Sequence, residues 1–310
     1  MEKTNCSICL ITLTHSFADN YLYGTIPSEY GAKLSLLRLF QVNQNDLTGT
    51  LPQWLIGTEL DENIETEPTS TRSKLEYVVL FDNELTGSIP TSISLHGSIK
   101  WLFLSGNMLT GTIPEELFDG TNKTFDISQI AFDSNMLSGT IPTSIGNLSN
   151  LNLCAFSSNQ LEGPLPSEVG GLVNLEFLVL RETGISGKHA SCFAFCGSAA
   201  YCLLSLYDFM ACPAVPGTLP TELGNLSELV SLWLWGNNLN GTIPSQLFDG
   251  QIRRKINHID LHENELTGTL PHEALMAATN LQYLYLGSNQ LSGTIPSTLL
   301  YMTSLGNSNS

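Results

Sequence analysis

The sequence predicts an α/β solenoid, a stack of short coils in which each coil gives one strand to a parallel sheet. Two observations carry this. The string Asn-x-Leu-x-Gly-x-Ile/Leu-Pro recurs, beginning at Asn20, Asn45, Asn83, Asn107, Asn135, Asn159, Asn237, Asn264 and Asn289. A degenerate copy begins at Thr183 and keeps Ile185 and Gly187. Successive intervals are 25, 38, 24, 28, 24, 24, 54, 27 and 25 residues, so a unit of about 24 residues is basic and two intervals hold large insertions. The second observation is a set of apolar columns locked to the same phase. Eight residues before the Asn stand Leu37, Leu75, Ile99, Ile127, Leu151, Leu175, Leu229, Ile256 and Leu281. Five and three before it stand pairs such as Leu102/Leu104, Ile130/Phe132 and Leu232/Leu234.

The spacing of two between the last columns is strand periodicity, so both side chains point into the coil. An Asn at the following corner can donate and accept at once, which lets stacked Asn residues satisfy backbone groups that a turn leaves open. The Gly four residues later suits a positive φ or a close approach of the next coil. The Pro seven residues later fixes φ and lacks an N–H, so the chain there runs extended or starts a short 3₁₀ or α turn. One coil cannot bury its own apolar face, whereas about ten stacked coils can.

Composition narrows function. The chain of 310 residues is 42% hydrophobic and only 13% charged, with a net charge of −17. That balance argues against nucleic acid and anionic membrane partners, which require basic surfaces. The one basic run, Arg253-Arg254-Lys255, is too short to line a polyanion groove. The longest apolar stretch, near Ala199–Ala211, is too short for a membrane span and contains Asp208. At the start, Met1–Ala18 carries a thin apolar centre interrupted by Thr and reads as a frayed first unit rather than a leader peptide.

Segments such as Asn135-Met136-Leu137-Ser138-Gly139-Thr140-Ile141-Pro142 resemble the plant-type leucine-rich repeat. That repeat occurs in receptor-like kinase and receptor-like protein ectodomains and in polygalacturonase-inhibiting proteins. The resemblance covers residues 12–305 and implies a right-handed superhelix with the parallel sheet on its concave face. It also implies a non-catalytic module that binds a protein or peptide, needs no cofactor and works outside the cell or at its surface. The family's N-terminal cap, a Cys pair around a Trp, is missing, and residues 306–310 form a polar tail. The chain therefore reads as part of a longer array, with residues 1–11 outside the pattern.

The expected binding surface follows from the columns. Residues six, four and two before each Asn face away from the core. One aromatic patch contains Tyr77, Phe81, Trp101 and Phe103, with Val79 among them. A second contains Phe177, Val179, Arg181, Trp233, Trp235, His258, Asp260, His262, Tyr283 and Tyr285. Between them lies a zone of small and polar residues: Ser105, Gln129, Ala131, Asp133, Ala155 and Ser157. Trp, Tyr and Arg are the residue types that anchor interfaces, although strand propensity alone also favours aromatics on a sheet. A structural or adhesive protein is the alternative. A metal-dependent hydrolase built on His258, Asp260, His262 and Glu263 ranks last, because alternate strand residues stand about 6.6 Å apart, wide for one zinc ion. The three residues read better as a solvated polar face, and no metal site is expected.

Sequons occur at Asn5, Asn122, Asn147, Asn225 and Asn240. Asn122, Asn147 and Asn225 are the glycosylation candidates, since they fall off the concave face. Cys154 replaces a core Leu and is expected to be a buried thiol. Residues 56–72 compose an acidic loop. Residues 188–217 fit no repeat and hold Cys192, Cys196, Cys202 and Cys212. They are either a Cys-rich excursion with up to two disulfides or a translated intron. The intron is preferred, because removing them joins Gly187 to Thr218 and restores a regular unit. The codon options at Gly187-Lys188 and Pro216-Gly217 also allow splice sites in one phase.

Overall fold

A computed structural model describes residues 13–28, 37–52, 55, 75–91, 93, 98–118, 127–183, 217–297 and 299. The segments 1–11, 56–72 and 306–310, most of 188–217, and Asn122 lie outside the described residues.

The strands just before each corner form one ten-stranded parallel sheet. In order it contains β1 (Leu13–Ser16), β3 (Leu37–Gln41), β5 (Tyr77–Val79), β7 (Trp101–Phe103) and β9 (Gln129–Ala131). It continues through β11 (Leu153–Ala155), β13 (Phe177–Val179), β15 (Ser231–Trp233), β17 (His258–Asp260) and β19 (Tyr283–Tyr285). Equivalent columns stand in register: Leu102 faces Ile130, Cys154 faces Leu178, and Leu232 faces Ile259. The columns five and three before the Asn are buried from Phe40 and Val42 to Ile259 and Leu261, as is the column at eight from Leu37 to Leu281. The end coils are looser, with Phe17 exposed in the first and Leu284 and Leu286 partly buried in the last.

A second parallel sheet follows the corners. It contains β2 (Tyr23–Thr25), β4 (Asp46–Thr50), β6 (Glu84–Ser88), β8 (Met108–Thr112), β10 (Met136–Gly139) and β12 (Gln160–Leu161). Beyond the long insertion it resumes as two pairs, β14 (Gly217–Thr218) with β16 (Leu239–Asn240), and β18 (Thr267–Gly268) with β20 (Gln290–Leu291). On the remaining side, 3₁₀ turns such as Thr143–Asn147, Ser167–Gly171 and Thr221–Asn225 each begin directly after an extended Pro. The expected role of the Pro is met, since its fixed φ and missing N–H suit the first position of a turn.

The corner is held by the Asn ladder. Asn135 Nδ2 donates to the carbonyls of Leu104 (3.0 Å), Phe132 (3.0 Å) and Asp133 (3.2 Å), and its Oδ1 accepts the Leu109 N–H (3.0 Å). Asn83, Asn107, Asn159 and Asn264 are likewise buried and repeat the pattern. The amide thus ties two coils together with groups that neither sheet uses. Its recurring Gly neighbour takes positive φ, for example 77° at Gly139. A Cβ there would lie 2.9 Å from the Thr112 methyl of the preceding coil, so both expected reasons for Gly apply together.

The long insertion sits within one coil. Thr183 is fully buried, and its N–H and hydroxyl donate to Asn237 Oδ1 (3.1 and 2.9 Å). Gly217 pairs with Leu239, as Gly87 pairs with Leu109, so Gly217 occupies the slot of the recurring Gly. The strands on either side, β13 and β15, are direct neighbours (Phe177 with Ser231, Val179 with Trp233). The solenoid therefore closes across the insertion, and the ten-stranded sheet continues through it.

Candidate binding face

With the inner columns filled by aliphatic and Phe side chains, the other face of the ten-stranded sheet carries the remaining residues of the same strands. In the first patch, register sets Tyr77 beside Trp101 and Val79 beside Phe103. Tyr77 meets Trp101 edge-on at 4.8 Å, and Trp101 stacks on Phe103 at 5.8 Å with the planes 13° apart. Trp101 is exposed and Phe103 half-buried. Both geometries are favourable aromatic pairings, which fix the rings without a ligand.

In the second patch, four strands interleave aromatic and charged groups. Phe177 aligns with Ser231, His258 and Tyr283, and Val179 aligns with Trp233, Asp260 and Tyr285. The Arg181 guanidinium lies 5.7 Å from the ring centres of both Trp233 and Trp235, within cation–π range. Trp235 stacks on His262 at 4.9 Å with the planes 13° apart. His258 is surrounded by Trp233 (5.6 Å), Tyr283 (5.3 Å) and Tyr285 (5.5 Å). This burial pulls the His258 pKa below its ordinary value, against a smaller upward pull from Asp260.

The map read from the columns needs two corrections. His258, Asp260 and His262 do not form a solvated polar face. Asp260 is buried, and its Oδ1 lies 2.5 Å from His262 Nδ1, while His258 and His262 are half-buried among aromatic rings. In the middle zone Ala155 and Ser157 are also buried, as are Val79 and Val179 in the patches. Small side chains there sink between larger neighbours on adjacent strands. Within the zone Asp133 accepts from the Ser157 N–H (2.8 Å) and the Ser105 hydroxyl (3.3 Å). Burial raises the Asp133 pKa above its ordinary value, with these hydrogen bonds opposing. Cys154, behind this zone, is a fully buried free thiol whose pKa burial pushes up.

Other charges are spent along the rim. Glu76 accepts two bonds from Arg38 (2.7 Å each) and one from Lys100 (3.3 Å), and Arg38 holds the Glu76 carboxyl below its ordinary range. Lys255 is paired with Glu228. The sequon residues Asn147 and Asn225 are exposed at the ends of 3₁₀ turns, away from the ten-stranded sheet. A shallow groove of about 820 Å³ runs along Ile89-Pro90, Ile113-Pro114 and Ile141-Pro142. Its lining is mostly the Ile-Pro motif of three neighbouring coils, with Glu115 and Glu116 beside it.

Comparison with known proteins agrees with this geometry. The Leucine Rich Repeat family model matches residues 98–119, 228–249 and 280–302. A TDR receptor structure overlays on 93% of this chain with a TM-score of 0.72 and 29% identity. The chain is a leucine-rich-repeat solenoid. The solenoid is also similar to the Arabidopsis receptor kinase HAESA in complex with the peptide hormone IDA and the co-receptor SERK1, with a TM-score of 0.72 and 27% identity over 93% of this chain. The plant peptide hormone receptor RGFR1 in complex with RGF2 gives a TM-score of 0.67 and 32% identity over 91% of this chain. Among curated proteins, Receptor-like protein 52 of Arabidopsis thaliana is 39% identical over 84 residues, 27% of this chain. The solenoid matches only 10% of that relative, and 41%, 39% and 41% of the three receptor structures. Among the described residues, no helix is long and apolar enough to cross a membrane.

Proposed function

We propose that the solenoid is a non-catalytic, receptor-like module that captures an extended peptide or protein segment on the concave face of its ten-stranded sheet, outside the cell or at its surface. The observation carrying this reading is the pair of aromatic patches on that sheet. The core columns beneath are already filled, so Trp101, Trp233, Trp235 and Tyr283 are not needed to close it. Contiguous aromatic patches on a folded protein mark interaction surfaces. The peptide-hormone complexes of HAESA and RGFR1 support a ligand of the same kind. The net charge of −17 disfavours nucleic acid as that ligand.

The test is selection of binders from a displayed random-peptide library, followed by measurement of the enriched peptides on variants. Trp233→Ala with Trp235→Ala should weaken capture by at least about tenfold, the loss expected when interface anchors are truncated. Its melting temperature should stay close to that of the parent. Unfolding of the double variant would place the indoles in the core and refute the face assignment. Self-association in the absence of any peptide would favour an adhesive protein instead.

A further inference from the structure

Both large sheets end at the first coil. Among the described residues, β1 and β2 each have a single neighbour, β3 and β4. An outermost strand presents backbone N–H and C=O groups on its free side, ready to pair with another chain. Four large side chains surround this edge. Phe17 and Leu22 hold slots that are buried in the following coils, at Val42, Leu80 and Leu104 and at Leu47, Leu85 and Leu109, but here both are exposed. Tyr21 and Tyr23 project further, at 91% and 87% exposure. The repeat does not call for these two rings. The same slots hold Asp46 and Thr48 in the next coil and Glu84 and Thr86 in the one after. Beside them a cleft of about 250 Å³ is lined by Phe17, Leu22, Ile26, Phe40, Val42 and Leu47. A contiguous apolar patch of this kind on a folded chain marks a contact surface.

Charge, area and symmetry point to a second copy of this chain as the occupant. Copies with a net charge of −17 repel one another, and the repulsion is least where acids are sparse. Of the 29 acids in the chain, residues 13–28 hold one, Asp19, with His15 in the same stretch. An aromatic side chain buries about 150–250 Å², so covering Tyr21, Tyr23 and the exposed part of Phe17 in both copies removes roughly 700–1,100 Å² from water. With the strand edge added, this reaches the area of about 1,000 Å² that a specific interface requires. An edge strand is also self-complementary. A twofold axis sets it antiparallel to its own copy, and the pairing then stops at two chains. We propose that the first coil, through Tyr21, Tyr23 and the free edge beside them, joins two copies of this chain into a closed pair. The pair is independent of the peptide-binding reading, since the aromatic patches lie on later coils. It also ends at two copies, unlike the open-ended association of an adhesive protein.

Sedimentation equilibrium of the full chain tests this without any ligand. Over a range of concentrations the mass should fit an equilibrium between one copy and two. Tyr21→Asp with Tyr23→Thr supplies the residues that the next coil already carries in those slots, so the coil should fold, with an unchanged far-UV circular dichroism spectrum. Pairing should weaken by at least about tenfold, the loss expected when interface anchors are removed. Tyr21→Asp alone, a change outside β2, gives the same reading with a smaller loss should the double variant not fold. Ile295→Asp alters an exposed residue of the last coil and should leave pairing intact. A single-copy mass at every concentration overturns the proposal. A mass that keeps growing past two copies overturns it as well, because head-to-tail stacking of the two ends would not close. So does pairing that the folded double variant retains, or that Ile295→Asp breaks. Peptide capture by the unpaired variant should match that of the parent, so failure of the pair leaves the binding face standing.

Discussion

At the residue scale, the corner asparagines concentrate the greatest structural consequence in the fewest atoms. Replacing Asn107 by Ala would free the carbonyls of Leu80 and Leu104 and the N–H of Leu85 in a buried turn. The expected cost is about 1–3 kcal/mol for each group left unsatisfied, read by urea denaturation. Asn289→Ala should cost less, because its corner in the last coil is partly exposed. Asp133 makes an opposite kind of prediction. Its folded pKa is raised, so the folded state binds its proton more tightly than the unfolded chain. Stability from this group is complete below the ordinary value of 3.8 and is lost as pH rises through the higher folded value. Asp133→Asn should therefore flatten the stability profile across that acidic window, measured by thermal denaturation at several pH values. Unchanged slopes would mean the carboxyl is not paying a desolvation cost.

At the element scale, a coil is a strand, a corner and a turn, and the chemistry of each was legible to a different degree. Strand position, inward columns and the role of Pro could be read because they repeat at fixed offsets, and repetition separates signal from local propensity. The residue just before each Asn was not recognised. It adopts a left-handed conformation in every coil, with φ of 54° at Asp82 and Ser134, 49° at Glu182 and 53° at Glu263. Its identity varies too much for a pattern to emerge, and only Gly106 and Gly236 hinted at it. The pairing of Asp260 with His262 was also missed, since alternation on a strand reveals the face but not which side chains bury one another. Gly139→Ala tests the element directly. Backbone strain of about 1–2 kcal/mol adds to a contact of 2.9 Å with the Thr112 methyl. Gly24→Ala, where φ is 88° but nothing lies within 4 Å, should incur the strain alone. Equal losses of stability in the two variants would remove the close-approach explanation.

At the scale of the whole molecule, the ten-stranded sheet continues past the long insertion, while among the described residues the second sheet is split there. The direct pairing of β13 with β15, with Gly217 in the recurring slot, means the solenoid does not need the intervening residues to align its coils. A chain lacking residues 188–217 places Gly187 in that slot and should fold with a melting temperature close to the parent's. Loss of cooperative unfolding would show that the insertion is structural. A transcript without the corresponding bases would support the translated-intron reading, whereas paired cysteines in the purified protein, with every transcript retaining the segment, would end it. The binding account depends on one contrast across the molecule. Trp101, Trp233, Trp235 and Tyr283 line the ten-stranded sheet, whereas the exposed Met108 and Met136 belong to the second sheet and serve as internal controls. Hydroxyl-radical footprinting with a library-selected peptide tests this most directly. The account predicts reduced oxidation of residues in the aromatic set on peptide binding, with Met108 and Met136 unchanged; protection of the two methionines with the aromatic residues unaltered would contradict it.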